Sequence, residues 1–394
     1  MPNQITFKFL LILTLVISLG FNQIELFYGL FVSNVAILAF IIYSAAINTV
    51  FFNPINVRMD CHPLLLIFIC FIITYASFGY LIEGDRFLPE YIKFVIHLIF
   101  MYFMVIYLIS SQLSVLFLTK VFVIGVVIST YPVFDFIRGD EVDLANRFNP
   151  IYYGGFNAYG AILSLSIFSS VYLAIKIKTL KLTVFWTMIS LYLFLILLIT
   201  MSRGGFLALL ISALVYIYKE YKFKKLFFVI FIMVIIFTLA SIVSTDSAII
   251  NRFLNINTIS DGSGRLQVWS AALNQIFLTP TSFLFGNTIG QFKTEIIGGS
   301  TTIQSLHNVF LFLLFSFGIL VTLIILTPLI YLFYVTLVKS YKHSAFLSGI
   351  CAQIIIFMSI DNQFQGLQSG WVFYFWIAVL VYSYNNHKKY RVLA

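Results

Sequence analysis

The chain has 394 residues, of which 61% are apolar and only 9% are charged, and its formal net charge is +9 at pH 7. Soluble domains carry about 25% charged residues, so this composition excludes an ordinary soluble protein. Repeated apolar runs of about 18 to 20 residues indicate a polytopic α-helical membrane protein. None of the three cysteines forms a pair with metal-ligand spacing, so we expect neither a zinc site nor a disulfide framework.

Twelve apolar runs predict an all-α bundle of about 12 transmembrane helices, assembled as a single membrane domain over residues 1–394. The first run lacks a small-residue cleavage site, so we expect it to be retained as a span. The tenth run is long for one crossing and contains Pro328, which predicts a tilt or a kink. The runs fall at about 5–19, 27–46, 63–82, 93–110, 115–134, 157–176, 182–200, 205–218, 224–243, 308–335, 345–360 and 370–384.

The positions of the charged residues predict the orientation of these spans. With the N-terminus inside, the inner connections hold most of the lysines, and Asp60 and Glu220 are their only acids. The other 12 of the 14 acidic residues then fall outside. Because cytoplasmic loops are enriched in Lys and Arg, both termini are predicted to be cytoplasmic. The basic excess is therefore a topology signal, and it does not indicate a nucleic-acid partner.

A tight reversal is predicted within residues 182–218. Both flanks, Lys181 and Lys219, are basic and belong on the same side. One helix of this length would run roughly 50 Å, against a hydrocarbon core of about 30 Å. The chain must therefore turn back midway, and Arg203-Gly204-Gly205 is the natural break. Arg203 then lies at the outer surface.

The longest outer segment, residues 244–306, is predicted to carry an amphipathic helix in the membrane interface. Apolar side chains recur at helical spacing from Leu266 to Phe277, with Trp269 between them. Ser263 is a candidate cap for this helix and Pro280 a candidate end. Arg265 then falls in the first turn, beside free backbone donors.

Two arginines and one histidine are the candidate site residues. Arg203 lies at membrane depth, where ionisable groups are usually functional, and its guanidinium matches a pair of phosphate oxygens. Arg265 follows Gly262-Ser263-Gly264, a flexible approach to an anion. His307 opens a span directly after the large loop, and an imidazole can take a proton from a sugar hydroxyl. We expect the three to meet around one lipid-linked phosphate.

Two further residues are weaker candidates for contact with substrate. Arg147 lies among carboxylates and is most simply a loop ion pair, and Asp361 opens the last outer loop. The sequence contains no Walker loop, no dinucleotide fingerprint and no HExxH or Asp-x-Asp motif. No cofactor and no metal are predicted, and the energy for a reaction must arrive in the substrate itself.

The same residues carry a resemblance to a known family. Ser202-Arg203-Gly204, then Gly264-Arg265 with Trp269, Gly286 and Gly290, and finally His307-Asn308 with Gly318, resemble the O-antigen polymerase and O-antigen ligase superfamily. The stretch from Arg147 to Asn157 is a weaker match. Where many relatives have a glutamate before the glycine of the tenth span, this chain reads Phe315-Ser316-Phe317-Gly318.

The resemblance implies a metal-independent glycosyltransferase of the bacterial inner membrane that acts on an undecaprenyl-pyrophosphate-linked glycan. Segment 244–306 would be its periplasmic loop, Arg203 and Arg265 would bind the pyrophosphate, and His307 would activate the acceptor hydroxyl. A polymerase is favoured, because the outer face offers few cations for the phosphates of a lipid A-core acceptor. A ligase is the first alternative, and a transporter or lipid-linked oligosaccharide flippase is the second. A chain-length regulator and a flippase of the same pathway are the expected partners.

Overall fold

The computed structural model describes residues 12, 14–15, 18, 25–27, 30–51, 88–131, 156–200, 202–221, 265–287, 292–295, 301–304, 306–339, 343–360 and 370–392. Most of these residues are helical, as the apolar runs predict. The helices are α1 (Val32–Phe51), α2 (Leu88–Ser111), α3 (Val115–Ser129), α4 (Phe156–Lys176), α5 (Leu180–Thr200), α6 (Arg203–Tyr221), α7 (Arg265–Ile276), α8 (Pro280–Phe285), α9 (Val309–Val338), α10 (Ser344–Ile360) and α11 (Gly370–Val392).

Two short antiparallel hairpins depart from the all-α prediction. Strand β1 (Glu25–Phe27) pairs with β2 (Leu30–Phe31), and β3 (Phe292–Glu295) pairs with β4 (Thr301–Gln304). The first hairpin occupies the start of the predicted span at 27–46, so the helix begins only at Val32. The second lies in the large loop, where Thr and Ile favour a strand and the sequence between the strands holds two glycines. Both hairpins leave the helical architecture intact.

Four of these helices are long and apolar enough to cross a membrane: Asn157–Lys176, Leu180–Thr200, Arg203–Tyr221 and Val309–Val338. Shorter apolar helices cover Val35–Ser44, Val95–Ser111, Val115–Ser129 and Ser344–Ile360. The predicted spans at 63–82 and 224–243 lie outside the described residues, and the span at 5–19 is described at a few positions only. A multi-pass membrane protein is therefore supported, while the count of twelve spans stays a prediction.

Helix α4 lies at the centre of the bundle. In the most apolar stretch of α4, 83% of the residues are buried, against 28% in α5 and 22% in α6. Helix α4 packs against both of these helices. At one end, Gly160 of α4 lies against Ser202, directly before α6. At the other end, Lys176 of α4 forms an ion pair of 2.9 Å with Glu220 of α6. Helices α4 and α6 therefore run parallel, and the predicted reversal before Arg203 is confirmed.

Helix α10 runs antiparallel to α6 and completes this core. Ile360, at the C-terminal end of α10, lies against Gly204. Halfway along, the Gln353 side chain donates a hydrogen bond of 2.7 Å to Ser212 Oγ of α6. At the far end of α6, Lys219 donates to the carbonyl oxygen of Thr336 in α9. The bundle thus has an Arg203 end and a Lys219 end, which we use below as its two poles.

Helix α9 is sharply bent at Gly318, and Pro328 lies within an unbroken stretch of it. Gly318 has φ 70° and ψ 178°, which no helical residue adopts. The hydrogen bonds Asn308 Nδ2–Ser359 O (3.0 Å) and Ser348 Oγ–Thr336 O (2.7 Å) tie α9 to α10 at two places. Between these ties α10 rises about 16 Å, whereas a straight α9 would rise about 42 Å. The kink was predicted, but its assignment to Pro328 was wrong.

The bend divides α9 into an arm, residues 309–317, and a stem, residues 319–338. Helix α8 holds the bend from outside, because the backbones of Gly286 and Gly318 lie against each other. Asn287 N donates a hydrogen bond of 2.7 Å to the carbonyl oxygen of Phe315, an acceptor that the bend frees. The stem alone is about 30 Å long, which matches one crossing of the hydrocarbon core. The bend therefore turns the arm back towards the end of α10, where Asn308 contacts Ser359.

Candidate functional site

Three of the five candidate residues fall in described parts of the chain. Arg203, Arg265 and His307 are each half-buried and each stands at or next to the start of a helix. Arg147 and Asp361 lie outside the described residues. Their contact with substrate stays a prediction.

The segment Ser202-Arg203-Gly204-Gly205 packs tightly against two other helices. The Ser202 side chain accepts a hydrogen bond of 3.2 Å from Gly205 N and so caps α6. A Cβ on Gly205 would lie 2.8 Å from the backbone oxygen of Gly160, and one on Gly204 would lie 2.5 Å from Ile360 Cδ1. Gly205 is therefore needed for α4 to approach this turn, and Gly204 leaves room for the Ile360 side chain of α10. Arg203 is the one long side chain in the segment, and its backbone is held from two sides.

His307 stands directly before the arm of α9 and has a left-handed backbone, with φ 46°. For a residue with a Cβ this conformation costs roughly 1 kcal/mol or more, and it occurs often at functional sites and tight connections. The next residue, Asn308, caps the arm, because its side-chain oxygen accepts a hydrogen bond of 3.0 Å from Leu311 N. Its Nδ2 donates a hydrogen bond of 3.0 Å to Ser359 O. The Asn308 carboxamide thereby fixes the backbone that carries His307 to the end of α10.

Arg265 is the first residue of α7, and Trp269 lies one turn later on the same face. Trp269 Nε1 donates a hydrogen bond of 2.7 Å to the carbonyl oxygen of Leu306, the residue before His307. A helix, α7, lies where the amphipathic helix is predicted; it ends at Ile276, while Pro280 opens α8. Its place in the membrane interface stays a prediction. The indole couples the helix that carries Arg265 to the backbone that carries His307.

A continuous series of contacts joins the three candidate residues. Gly204 lies against Ile360, Ser359 accepts from Asn308, and Leu306 accepts from Trp269. The starts of α6, α7 and α9 are therefore gathered at the Arg203 end, around the end of α10. Each helix start carries a partial positive charge and free backbone N–H groups, which favour an anion. Two guanidinium groups and three helix starts at one pole make an electropositive environment suited to phosphate oxygens.

The described residues contain no group of three His, Cys, Asp or Glu side chains that could hold a metal ion. The candidate residues that the structure describes supply two guanidinium groups and an imidazole. These groups can bind an anion and move a proton.

Sequence reasoning used Trp269 and Asn308 only as part of the predicted helix and of the resemblance, and it did not predict the hydrogen bonds that they and Ser359 form. Asn308 could have been recognised as a helix cap, because it immediately precedes an apolar run. Trp269 could have been recognised from its spacing of four residues after Arg265. Ser359 contributes only its backbone oxygen, so its side-chain type gives no signal.

The helices and this pole define a multi-pass membrane protein with an electropositive candidate site at one end. Residues 188–326 match the family model described as O-antigen ligase. This match confirms the resemblance to the O-antigen polymerase and ligase superfamily, whose members include both kinds of membrane glycosyltransferase. The matched segment contains Arg203, Arg265 and His307. The search of curated proteins gives no match for the chain.

Proposed function

We propose that the protein is an O-antigen polymerase of the bacterial inner membrane. It would transfer the growing undecaprenyl-pyrophosphate-linked glycan to a new lipid-linked repeat unit on the periplasmic face. The observation that carries this proposal is the contact series that gathers the starts of α6, α7 and α9 at one pole. The family match over the same segment supports it.

In the proposed reaction the acceptor hydroxyl attacks the anomeric carbon of the donor glycan. The bond from that carbon to the pyrophosphate oxygen breaks, a new glycosidic bond forms, and the hydroxyl proton passes to the His307 imidazole. Arg203 and Arg265 hold the oxygens of the departing pyrophosphate, on which negative charge develops. Pyrophosphate is a good leaving group, so positioning, charge stabilisation and proton removal are sufficient chemistry. Neither a metal nor a cofactor takes part.

A ligase is the second candidate, because the matching family, described as O-antigen ligase, covers both activities. A ligase would use the same donor and the same three residues but would deliver the glycan to lipid A-core. That acceptor carries phosphates, and the predicted outer face of this chain has few cations beyond the candidate site. A polymerase acceptor makes no such demand, so we favour the polymerase. A chain-length regulator and a flippase are its proposed partners in the pathway.

A deletion strain tests the choice, because each loss leaves a different product. Without a polymerase, single repeat units remain on the lipid A-core. Without a ligase, long chains remain on the carrier lipid. Without a flippase, repeat units remain inside the cell.

Purified protein in nanodiscs tests the chemistry. Undecaprenyl-pyrophosphate-linked repeat units extracted from the deletion strain should be extended by the protein. Arg203→Ala and His307→Ala should each slow extension by about a hundredfold or more, since each removes transition-state stabilisation or the base. Ser170→Ala is the control, because within the described part of the chain this buried side chain bonds only its own helix, at Ile167 O. Full activity in both site variants would refute the proposed function.

A further inference from the structure

A buried glutamine in the middle of the bundle joins the three central helices. Gln353 of α10 is fully buried, and its Nε2 donates to Ser212 Oγ of α6 at 2.7 Å and to Ser164 O of α4 at 3.3 Å. The Ser164 carbonyl can only accept, so the nitrogen of the amide must face it. One side chain on α10 thus forms hydrogen bonds to two neighbouring helices at once.

Close packing around Gln353 makes this bridge possible. Gly349, one turn earlier on the same face of α10, lies where an added Cβ would meet Ser212 O at 3.0 Å and the Phe168 ring even sooner. Small residues let membrane helices approach, and polar side chains can then hydrogen-bond across them. The amide is therefore placed where α10 packs closely against α4 and α6.

The same helices end at the candidate site. Gln353 lies two turns before Ile360, about 10 Å along α10, and Ser212 lies about 14 Å along α6 from Arg203. Ile360 touches Gly204, and the neighbouring Ser359 O holds Asn308. A slide or rotation of α10 against α6 would shift the backbones of Arg203 and His307 relative to each other.

We propose that Gln353 is a positioning residue that fixes the register of α10 against α4 and α6, and through it the separation of Arg203 from His307. The enzymatic part of this inference rests on the proposed function.

Replacement by an apolar side chain of the same shape separates positioning from stability. Ser212 Oγ also donates to Leu209 O at 2.8 Å, and Ser164 O lies within α4, so neither partner would be left orphaned. Gln353 Oε1 has no hydrogen-bond partner among the described residues, so a methionine would also remove a buried acceptor. Apolar replacement of a buried polar group is then near neutral for folding. If Gln353 served folding alone, its replacement would lower the melting temperature and the activity together.

The test uses the nanodisc assay on Gln353→Met, Gln353→Glu and Ser212→Ala. Gln353→Met should keep the melting temperature of the parent, and its KM for the lipid-linked donor should stay within about twofold. Its kcat should fall about tenfold or more, because displaced catalytic groups lower the rate of the chemical step. Gln353→Glu should recover kcat to within about threefold of the parent, because a desolvated carboxyl stays neutral and donates one O–H. Ser212→Ala should lower kcat less than Gln353→Met does.

Ser170→Ala is the matched control for Ser212→Ala. Both serines are buried and bond a carbonyl three residues earlier, but Ser212 also accepts from Gln353. The inference is overturned if Gln353→Met has the same kcat as the parent. It is also overturned if kcat and melting temperature fall together in that variant. If Arg203→Ala and His307→Ala are inactive in the same assay while Gln353→Met is fully active, the positioning role alone fails. If all three are active, the proposed function fails.

Discussion

The two glycines after Arg203 differ in what surrounds them, although they are neighbours in one turn of α6. A Cβ on Gly204 would meet the terminal methyl of Ile360, whereas a Cβ on Gly205 would meet the backbone oxygen of Gly160. A side-chain methyl can move or be removed, but a backbone oxygen in α4 cannot. The arginine is therefore held by one adjustable contact and one rigid contact.

The first prediction follows from this difference. Gly205→Ala should destabilise the protein by about 1–3 kcal/mol, as overpacking against a fixed backbone does. Gly204→Ala should cost less, since the Ile360 side chain that the new Cβ meets can move. Adding Ile360→Val, which deletes the methyl that the new Cβ meets, should restore the melting temperature of Gly204→Ala. Thermal unfolding of the purified variants measures all three. The contacts described here are wrong if Ile360→Val rescues Gly205→Ala as well as Gly204→Ala.

The second prediction separates the two hydrogen bonds of Asn308. Serine at this position keeps the cap on Leu311 N but is too short to reach Ser359 O, whereas alanine loses both. Asn308→Ser should therefore keep most of the stability and lose about tenfold in transfer rate through the misplaced His307. Asn308→Ala should cost about 1 kcal/mol of stability in addition. The measurements are the transfer rate and the melting temperature of each variant. Equal transfer rates for Asn308→Ser and the parent would show that the hydrogen bond from Asn308 to Ser359 O does not position His307.

At the scale of elements, the bend in α9 decides where His307 lies. A straight helix would carry the start of α9 far beyond the end of α10, whereas the bend brings that start back to the end of α10, where Asn308 contacts Ser359. Gly318 permits this because it adopts φ 70°, and Gly286 in the opposing backbone adopts φ 82°. Two glycines in unusual conformations thus face each other without any side chain between them.

The third prediction compares this bend with Pro328, which also lies in α9. Gly318→Ala should destabilise by roughly 2 kcal/mol or more, because a Cβ would strain the positive φ and strike the backbone of α8. Pro328→Ala should be neutral or stabilising, since the proline lies inside a continuous helix and lacks a hydrogen-bond donor. Melting temperatures measure both variants. If Pro328→Ala lowers the melting temperature more than Gly318→Ala does, the assignment of the bend to Gly318 is wrong.

The bend also shows what the sequence can and cannot predict. Hydropathy predicted the helices, and ionisable residues near membrane depth made Arg203 and His307 candidates, because both signals are local. Phe315-Ser316-Phe317-Gly318 reads as part of one apolar run, and what bends it is packing against Gly286, a segment some thirty residues earlier. Gln353 and Ser359 likewise read as ordinary polar residues within a span. Their roles depend on which helices pack together, and no local pattern reports that.

At the scale of the molecule, many of the basic residues in the described part of the chain lie at its two poles. The Lys219 end carries Lys176, Lys178, Lys181, Lys219 and Lys339, and there Lys219 donates to the last carbonyls of α9, at Thr336 and Lys339. The Arg203 end carries Arg203 and Arg265, both half-buried. Lysines that flank spans mark the cytoplasmic side, whereas half-buried arginines are suited to binding anions. The Arg203 end is therefore predicted to face the periplasm.

The fourth prediction tests this orientation with single cysteines at two exposed positions, Lys178 and Gln267. A membrane-impermeant maleimide applied to cells with a permeabilised outer membrane should label Gln267→Cys but not Lys178→Cys. Breaking the inner membrane should expose both. The native cysteines Cys61, Cys70 and Cys351 are first replaced by serine or alanine, and the cysteine-free parent is the control. Labelling of Lys178→Cys alone would put the candidate site in the cytoplasm, on the opposite side from the lipid-linked glycan, and transfer by Arg203, Arg265 and His307 would then be impossible.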